Sequence, residues 1–276
     1  MAFSVNTNST ALSALFNLNK STRELETTQT RINPGLRVSS AKDNAAIFSI
    51  AQKLRADLKG YSAVKQSLDR SISTADIALA AAGAISDLLI EMKGKAVAAA
   101  DAGLDATSRS ALNEDFQALR DQISIIVNNA EFNGTNLLDG GTDAIVAITN
   151  PSATQTISIA HQNLTLGGGN ISITAAQGIS TQALASAALA DVSTSLAAVS
   201  ASLTKLGAGG KSLESQRVFA DKIADTIEIG IGNLVDANMA KESANLQALQ
   251  VKQQLGIQAL SIANQAPQSI LSIFGG

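Results

Sequence analysis

The sequence predicts a mostly α-helical chain, a long helical hairpin or coiled-coil bundle with one small β-hairpin region. Apolar residues recur at three- and four-residue steps over residues 44–128, and again from about residue 182 onward. Between about residues 143 and 180 the period changes to two. Both chain ends carry seven-residue repeats, which are typical of helices that supercoil about each other. We therefore expect two helical limbs that run side by side.

The beginning of the chain is predicted to form an amphipathic helix whose first part carries no charge. Residues 1–19 contain no charged side chain. From Leu18 onward, a Leu or Ile recurs every seven residues, and two Leu before it are predicted to extend this apolar stripe towards the N-terminus. The stripe comprises Leu12, Leu15, Leu18, Leu25 and Ile32. The other faces carry neutral polar groups, which cost less to desolvate than charges, so we expect them to be buried too.

The end of the chain has the same character. Residues 253–276 carry no charge, and Met239, Leu246 and Leu260 share one heptad position, in which Gln253 is the polar exception. The apolar contact residues expected here are Leu246, Leu249, Leu260, Ile262, Ile270 and Leu271. We expect the two ends to pair in one coiled-coil layer and to be buried against copies of the same chain. The alternative is a pair of frayed, disordered tails. Both interpretations can hold in turn, because so weak a stripe can be disordered in the monomer and fold on assembly.

The middle of the chain is predicted to contain long helices interrupted by turns. Helical periodicity covers residues 44–97, and a turn at Gly103–Asp105 precedes a further helix. Asn133–Gly134 is a turn that ends this block. Two alternating segments, Thr156–Ile159 and Ile171–Thr174, are predicted to be the strands of the β-hairpin region.

Composition narrows the functional classes. A net charge of −3 argues against a nucleic-acid-binding protein, which would need a basic stripe. The chain lacks an uninterrupted apolar run of 18 residues, so we expect no membrane span. It has no Cys and few aromatic residues but much Ala, which favours close helix packing over a thick aromatic core.

Few residues could carry catalysis. His161 is the one histidine, and we expect a surface or strand position for it. Gly207–Ser212 superficially resembles a phosphate-binding loop, but Lys205 occupies the position of its first Gly and the preceding residues have helical periodicity. We interpret that glycine run as a flexible helix break. The sequence therefore predicts a protein that is not an enzyme and has no cofactor or metal.

Several segments resemble the bacterial flagellin family, in its compact alphaproteobacterial type. At the beginning these are Leu18–Ser21, Arg31–Val38, Ser40–Ala46 and Glu131–Gly134; at the end they are Gln253–Gly256 and Ala263–Ser272. The resemblance covers residues 1–140 and 185–276. It implies an inner domain from 1–44 plus 236–276, a helical outer domain from 45–140 plus 181–235, and a short β-hairpin region at 141–180 within the outer domain.

The resemblance also implies a function. Such a chain would be a structural subunit that self-polymerises through its terminal helices into the extracellular flagellar filament for swimming motility. It would be secreted, and its partners would be further copies, an export chaperone, and the flagellar cap and hook-junction proteins. Exposed Ser and Thr could carry O-glycans. The alternative is a flagellar hook–filament junction protein, although those proteins are usually longer and match these segments less well.

The sequence departs from the family pattern at a few positions. Pro34 stands where the family usually has Ser or Thr, and with Gly35 it predicts a turn. Resemblance places the contact site for the animal innate flagellin receptor at Glu91, Lys93, Lys95 and Asp115. The first three replace Arg, Arg and Leu of the family, whereas Asp115 keeps its acidic character. Because bidentate Arg geometry is lost and one charge is reversed, we expect poor receptor activation.

Overall fold

The chain consists of five helices and two small antiparallel sheets in the computed structural model, which describes residues 7–274 and the side chains of residues 7–265. The helices are α1 Ser9–Ile32, α2 Ala45–Ala99, α3 Ala106–Asn129, α4 Gln182–Val235 and α5 Met239–Phe274. The strands are β1 Glu131–Phe132, β2 Thr135–Asn136, β3 Ile145–Ile148 and β4 Thr156–Ile159. The predicted fold class, mostly helical with a small β-hairpin region, is confirmed.

The chain divides into two compact units. The terminal unit comprises Met1–Ala56 and Thr226–Gly276, and the central unit comprises Asp57–Asp225. Both chain ends therefore belong to the same unit. The domain boundaries expected from the resemblance stay a prediction.

In the terminal unit, the turn at Pro34 and Gly35 links α1 to the end of α4. Gly35 has φ +72°, a left-handed conformation that glycine adopts at little cost. Its carbonyl accepts a hydrogen bond of 2.8 Å from Ala237 N–H, and Leu36 forms a β-bridge with Asp236. The turn predicted from Pro34 and Gly35 thus contacts the connection between α4 and α5.

In the central unit, α2 and α4 contribute an alanine-rich face to the core. Ala75, Ala82 and Ala188 are fully buried. Among the largest fully buried side chains, one is aromatic, Phe116 of α3. Small side chains let helices approach closely, so the core relies on tight packing rather than large apolar area. This is the packing that the composition predicted.

The turn between α2 and α3 is stabilised by side-chain caps. Asp105 accepts hydrogen bonds of 2.9 Å from the N–H groups of Thr107 and Ser108, donors of the first turn of α3 that have no partner within the helix. Arg109 donates to three carbonyls at and just after the end of α2, including Ala99 O at 2.9 Å. The turn predicted at Gly103–Asp105 is therefore confirmed.

The β-hairpin region has a different partner strand from the one predicted. β4 pairs with β3, with Ile145 opposite Ile159, and not with Ile171–Thr174. The segment Ile171–Thr174 lies along α4 instead: Ser172 N–H donates to the Ser195 hydroxyl at 2.9 Å, and Ile171 and Ile173 are fully buried. The alternation of this segment reflects one buried face. However, the bond from Ser172 N–H goes to a helix side chain and not to the carbonyl of a neighbouring strand.

The glycine run of α4 is a packing site and not a helix break, so that interpretation was wrong. The helix continues through Gly207–Ser212 without interruption. A Cβ on Gly209 would lie 2.8 Å from Ile159 Cδ1, and a Cβ on Gly60 of α2 would lie 2.5 Å from Pro151 Cβ. The missing side chains let the β3–β4 hairpin contact the two helices directly.

Two helices are long and apolar enough to cross a membrane, judged by their length and composition only. They are α2 and α4, each with an 18-residue window of mean hydropathy 1.4. This is weak evidence, since core helices of soluble proteins pass the same test. The sequence-based expectation of no span stays a prediction.

Candidate assembly surface

The two terminal helices, α1 and α5, form an antiparallel pair. At one end of the pair Asn8 Nδ2 donates to Ala263 O at 2.7 Å, and at the other Arg31 lies 3.8 Å from Glu242. Residues separated by as many as 255 positions therefore meet in register. The expectation that the ends pair agrees with this arrangement. Disorder of the ends before assembly stays a prediction.

The side of α1 that faces α5 repeats every three or four residues. Leu25 and Thr28 are buried, and the residues one heptad away are partly buried. The stripe comprises Ala11, Ala14, Leu18, Ser21, Leu25, Thr28 and Ile32. Leu18, Leu25 and Ile32 thus lie on the inner side of the pair, as the heptad spacing predicted.

Leu12 and Leu15 do not extend this stripe. Leu12 is 63% exposed and Leu15 is 42% exposed. Counting back from Leu18 by four and then by three leads to Ala14 and Ala11. Each of the two Leu lies one residue further along, about 100° around the helix. They belong to the outer side of the pair, together with the exposed Phe16.

The inner side of α5 also follows the heptad. Its buried or partly buried residues are Glu242, Leu246, Leu249, Gln253, Gly256, Leu260 and Ala263. Gln253, the polar exception in the repeat, has its Nε2 3.4 Å from Thr22 Oγ1. Gly256 leaves space for Leu18: a Cβ on Gly256 would lie 3.2 Å from Leu18 Cδ1.

Large apolar side chains of both helices are exposed outside the contact between α1 and α5. They share an exposed fraction of 42–69% and are flanked by neutral polar residues. We define the outer apolar surface as Leu12, Leu15, Phe16, Val251, Leu255, Ile257 and Ile262. The predicted contact residues Leu12, Leu15 and Ile262 belong to this surface, whereas the sequence did not predict Phe16, Val251, Leu255 and Ile257. The side chains of Ile270 and Leu271 lie outside the described residues.

The candidate catalytic groups do not converge on a site. His161 lies just after β4, and its side chain is only 16% exposed, with Nε2 3.4 Å from Asp139 Oδ1, so it is close to a strand but not on the open surface. Within residues 7–274, His, Asp and Glu side chains form no group of three that could hold a metal ion. Gly207–Ser212 are helical, which does not present the backbone N–H groups that a phosphate-binding loop uses.

Comparison with known proteins supplies the family. One similar solved structure is a flagellar hook-associated protein, as that structure is described, from Vibrio parahaemolyticus. The match covers 70% of this chain and 100% of the other chain, with a TM-score of 0.59 and 14% sequence identity. At this identity the match supports the fold alone. The model of the bacterial flagellin N-terminal helical region matches residues 5–143, and that of the C-terminal helical region matches residues 189–274. The chain belongs to the bacterial flagellin family.

Curated flagellins match this flagellin over nearly its whole length. Flagellin FljK of Caulobacter vibrioides is 45% identical, with 98% of each chain covered. A flagellin of Brucella melitensis is 37% identical, with 99% of each chain covered. The chain is therefore a structural subunit of the extracellular flagellar filament, and the alphaproteobacterial resemblance is confirmed. The alternative of a hook–filament junction protein is not favoured.

The residues that the resemblance predicts as the receptor contact site lie on α2 and α3. Glu91 is exposed on α2, and Lys93 is partly buried. Lys95 Nζ lies 2.5 Å from Asp115 Oδ2 on α3. This hydrogen bond with Asp115 raises the pKa of Lys95. The Lys95–Asp115 pair thus occupies two of the positions that the resemblance assigns to receptor contact.

Proposed function

We propose that this flagellin enters the filament through its α1/α5 pair, with the outer apolar surface as the contact between copies. The observation that supports this proposal is that large apolar side chains are exposed on helices whose terminal segments carry no charged residue. Phe16 is 64% exposed and Ile262 is 69% exposed. The inner side of the same pair is already used within the chain, so the outer side is the one available for another copy.

Burial energy supports this assignment. Each large apolar side chain contributes about 1.5–3 kcal/mol when it passes from full exposure to full burial. Neutral Ser, Asn and Gln around these residues are cheaper to desolvate than charges would be. Because the outer sides of α1 and α5 differ, a contact between them is heterologous, and a heterologous contact whose rotation does not close generates a filament.

The domain arrangement is part of the proposal. Residues 1–44 with 236–276 would form the inner layer of the filament, and 45–140 with 181–235 the surrounding helical domain. The antiparallel pairing of α1 with α5 supports a common layer for both ends. Residues 141–180 would be the β-hairpin region of the outer domain.

The partners of the subunit before and during assembly are further proposals. We infer secretion through the flagellar export channel, and a chaperone that shields the apolar side chains of α5 until then. The exposed Val251, Leu255 and Ile257 are the side chains that such a chaperone would cover. Cap and hook-junction proteins would contact the same pair at the filament ends. Exposed Ser and Thr of residues 142–200 could carry O-glycans, and intact-protein mass tests for them.

Seeded polymerisation tests the main proposal. Purified monomer is added to short filament fragments, and elongation is followed by electron microscopy. A chain without residues 1–19 and 253–276 should fail to elongate the seeds. A full-length variant with Leu12→Ser and Phe16→Ser should elongate at least ten-fold more slowly. Val146→Ser is the matched control, because Val146 is also exposed but lies on β3 in the central unit.

The outcomes are distinct. Normal elongation by Val146→Ser, with failure of the truncated and the doubly substituted chains, supports assembly through the outer apolar surface. Elongation by the truncated chain at the rate of the full chain contradicts it. A full chain that stays monomeric on every seed contradicts polymerisation itself.

A further inference from the structure

The terminal unit has an excess of positive charge in a chain that is acidic overall. Its two segments, 1–56 and 226–276, contain nine basic and six acidic side chains, whereas residues 57–225 contain eleven basic and seventeen acidic ones. Residues 1–19 and 253–276 are uncharged, so the excess positive charge lies within residues 20–56 and 226–252. A basic cluster beside an assembly surface needs an anionic partner when water is removed.

Four of these basic side chains line one groove between α1 and α5. The groove has a volume of about 470 Å³ and is lined by Lys20, Arg23, Arg31 and Lys252, with Glu24 as the acidic side chain. We call it the basic groove. Four cations against Glu24 and the nearby Glu242 leave a net positive charge there.

Arg31 has an unused donor in the basic groove. Its Nε is buried and has no hydrogen-bond acceptor within the described part of the chain. Its ion pair with Glu242 is long, at 3.8 Å, and involves Nη1 rather than Nε. A buried donor without an acceptor costs free energy, which an incoming carboxylate would offset.

One carboxylate on the same pair of helices faces away from the basic groove. α1 contains Glu24 and Glu26, and α5 contains Glu242. Glu24 lines the groove, and Glu242 is buried. Glu26 is exposed, and it lies about 200° around α1 from Glu24, on the opposite side.

We propose that the basic groove of one copy binds Glu26 of a second copy in the filament. The pair then has a cationic groove and a carboxylate on its opposite side, so each copy complements the next one in a heterologous contact, the kind from which a filament can be built. This inference rests on the proposed assembly through α1 and α5. It adds an orientation, because the outer apolar surface alone does not specify which side of one pair meets which side of another.

Charge reversal on each side tests the pairing. Full-length Arg23→Glu and Glu26→Lys are prepared separately, with Lys53→Glu as the matched control for an exposed cation of α2 outside the groove. Elongation from wild-type seeds is measured for each variant, and helix content is compared by circular dichroism. We expect each groove-pair variant alone to elongate at least ten-fold more slowly, and Lys53→Glu to match the wild type.

A mixture of the two slow variants is the decisive sample. Copies of Arg23→Glu repel one another because the introduced carboxylate meets the native Glu26 of the next copy. Copies of Glu26→Lys repel one another because the introduced ammonium group meets the native Arg23 of the next copy. In an alternating 1:1 mixture both contacts become complementary, although inside each chain the two positions still carry like charges. We therefore expect the mixture to recover elongation to within about three-fold of the wild type.

Two results would overturn the pairing. One is elongation of both single variants at the rate of Lys53→Glu; the other is a mixture as slow as its components. Neither result affects the proposed function as long as the Leu12→Ser and Phe16→Ser chain fails to elongate. If wild-type monomer does not elongate the seeds, the proposed function falls, and the pairing falls with it.

Discussion

Leu18 of α1 packs against Gly256 of α5, at a point where any larger residue at 256 would meet it. A Cβ on Gly256 would lie 3.2 Å from Leu18 Cδ1 and 3.7 Å from its Cα. The second distance involves backbone, so a side chain larger than methyl must push α1 away. This one glycine sets how closely the two terminal helices approach.

Gly256→Leu is therefore expected to loosen the α1/α5 pair by about 1–3 kcal/mol, the usual cost of overpacking. Hydrogen exchange of α1 backbone amides measures this loosening. Gly230→Leu is the matched control, since a Cβ there would meet nothing within 4 Å. Adding Leu18→Ala to Gly256→Leu should restore much of the protection. Equal exchange in Gly256→Leu and Gly230→Leu would argue against a close approach at Gly256.

Gly209→Ala and Gly207→Ala should change stability in opposite directions. A Cβ on Gly209 would lie 2.8 Å from Ile159 Cδ1, so we expect a loss of about 1–3 kcal/mol in the free energy of unfolding. A Cβ on Gly207 would lie 4.0 Å from Leu79 Cδ2, which is ordinary contact, so the helix preference of Ala should add up to about 1 kcal/mol. Urea unfolding measures both. A stabilised Gly209→Ala variant would show that the hairpin does not pack there.

Asp105→Ala should lower Tm at pH 7 and have a smaller effect at pH 3. Hydrogen bonds from Ser108, first from its hydroxyl, hold the pKa of Asp105 below its ordinary value of 3.8. Because the folded-state pKa is the lower one, its stabilisation is present above pH 3.8 and is lost as pH falls through the folded-state value. Thermal unfolding of both proteins at the two pH values gives the comparison. A Tm difference that widened in acid would contradict this assignment.

The weak receptor activation expected of this flagellin depends on Glu91, Lys93 and Lys95. We expect nanomolar wild-type monomer to give a weak signal in reporter cells that carry the animal flagellin receptor, because Glu91 reverses a charge and Lys95 is paired with Asp115. The combined change Glu91→Arg, Lys93→Arg and Lys95→Leu should raise the response at least ten-fold. Lys59→Arg, on the same helix, serves as control. Strong activation by the wild type would contradict the prediction.

The sequence predicted the α1/α5 stripe well because supercoiling helices must repeat every seven residues. Leu18, Leu25 and Ile32 follow from that rule alone. Leu12 and Leu15 were placed on the same stripe because they are apolar, but the heptad continues through Ala14 and Ala11. Small residues such as Ala14 and Ala11 are hard to recognise as part of an apolar repeat, although they lie on the inner side of this helix pair as Leu18 does.

The β region shows where local pattern stops being sufficient. Ile171–Thr174 alternates as clearly as Thr156–Ile159, and yet it pairs with no strand within residues 7–274, and its Ser172 N–H donates to the hydroxyl of Ser195 on α4. Ile145–Ile148, the true partner of β4, has too little alternation to stand out. The contact of Gly209 with Ile159 joins residues fifty positions apart, and no local signal distinguishes it from a helix break.

If subunits join the filament through the α1/α5 pair, as proposed above, the antiparallel pairing makes the presence of both helices in one chain a condition for assembly. A product that terminates before residue 239 contains the whole of α1 and none of its partner, so its apolar stripe has nothing in the chain to cover it. The first helix made is thus completed by the last one. Under the proposed assembly, truncated copies would lack the α1/α5 pair and would not be added to the growing polymer.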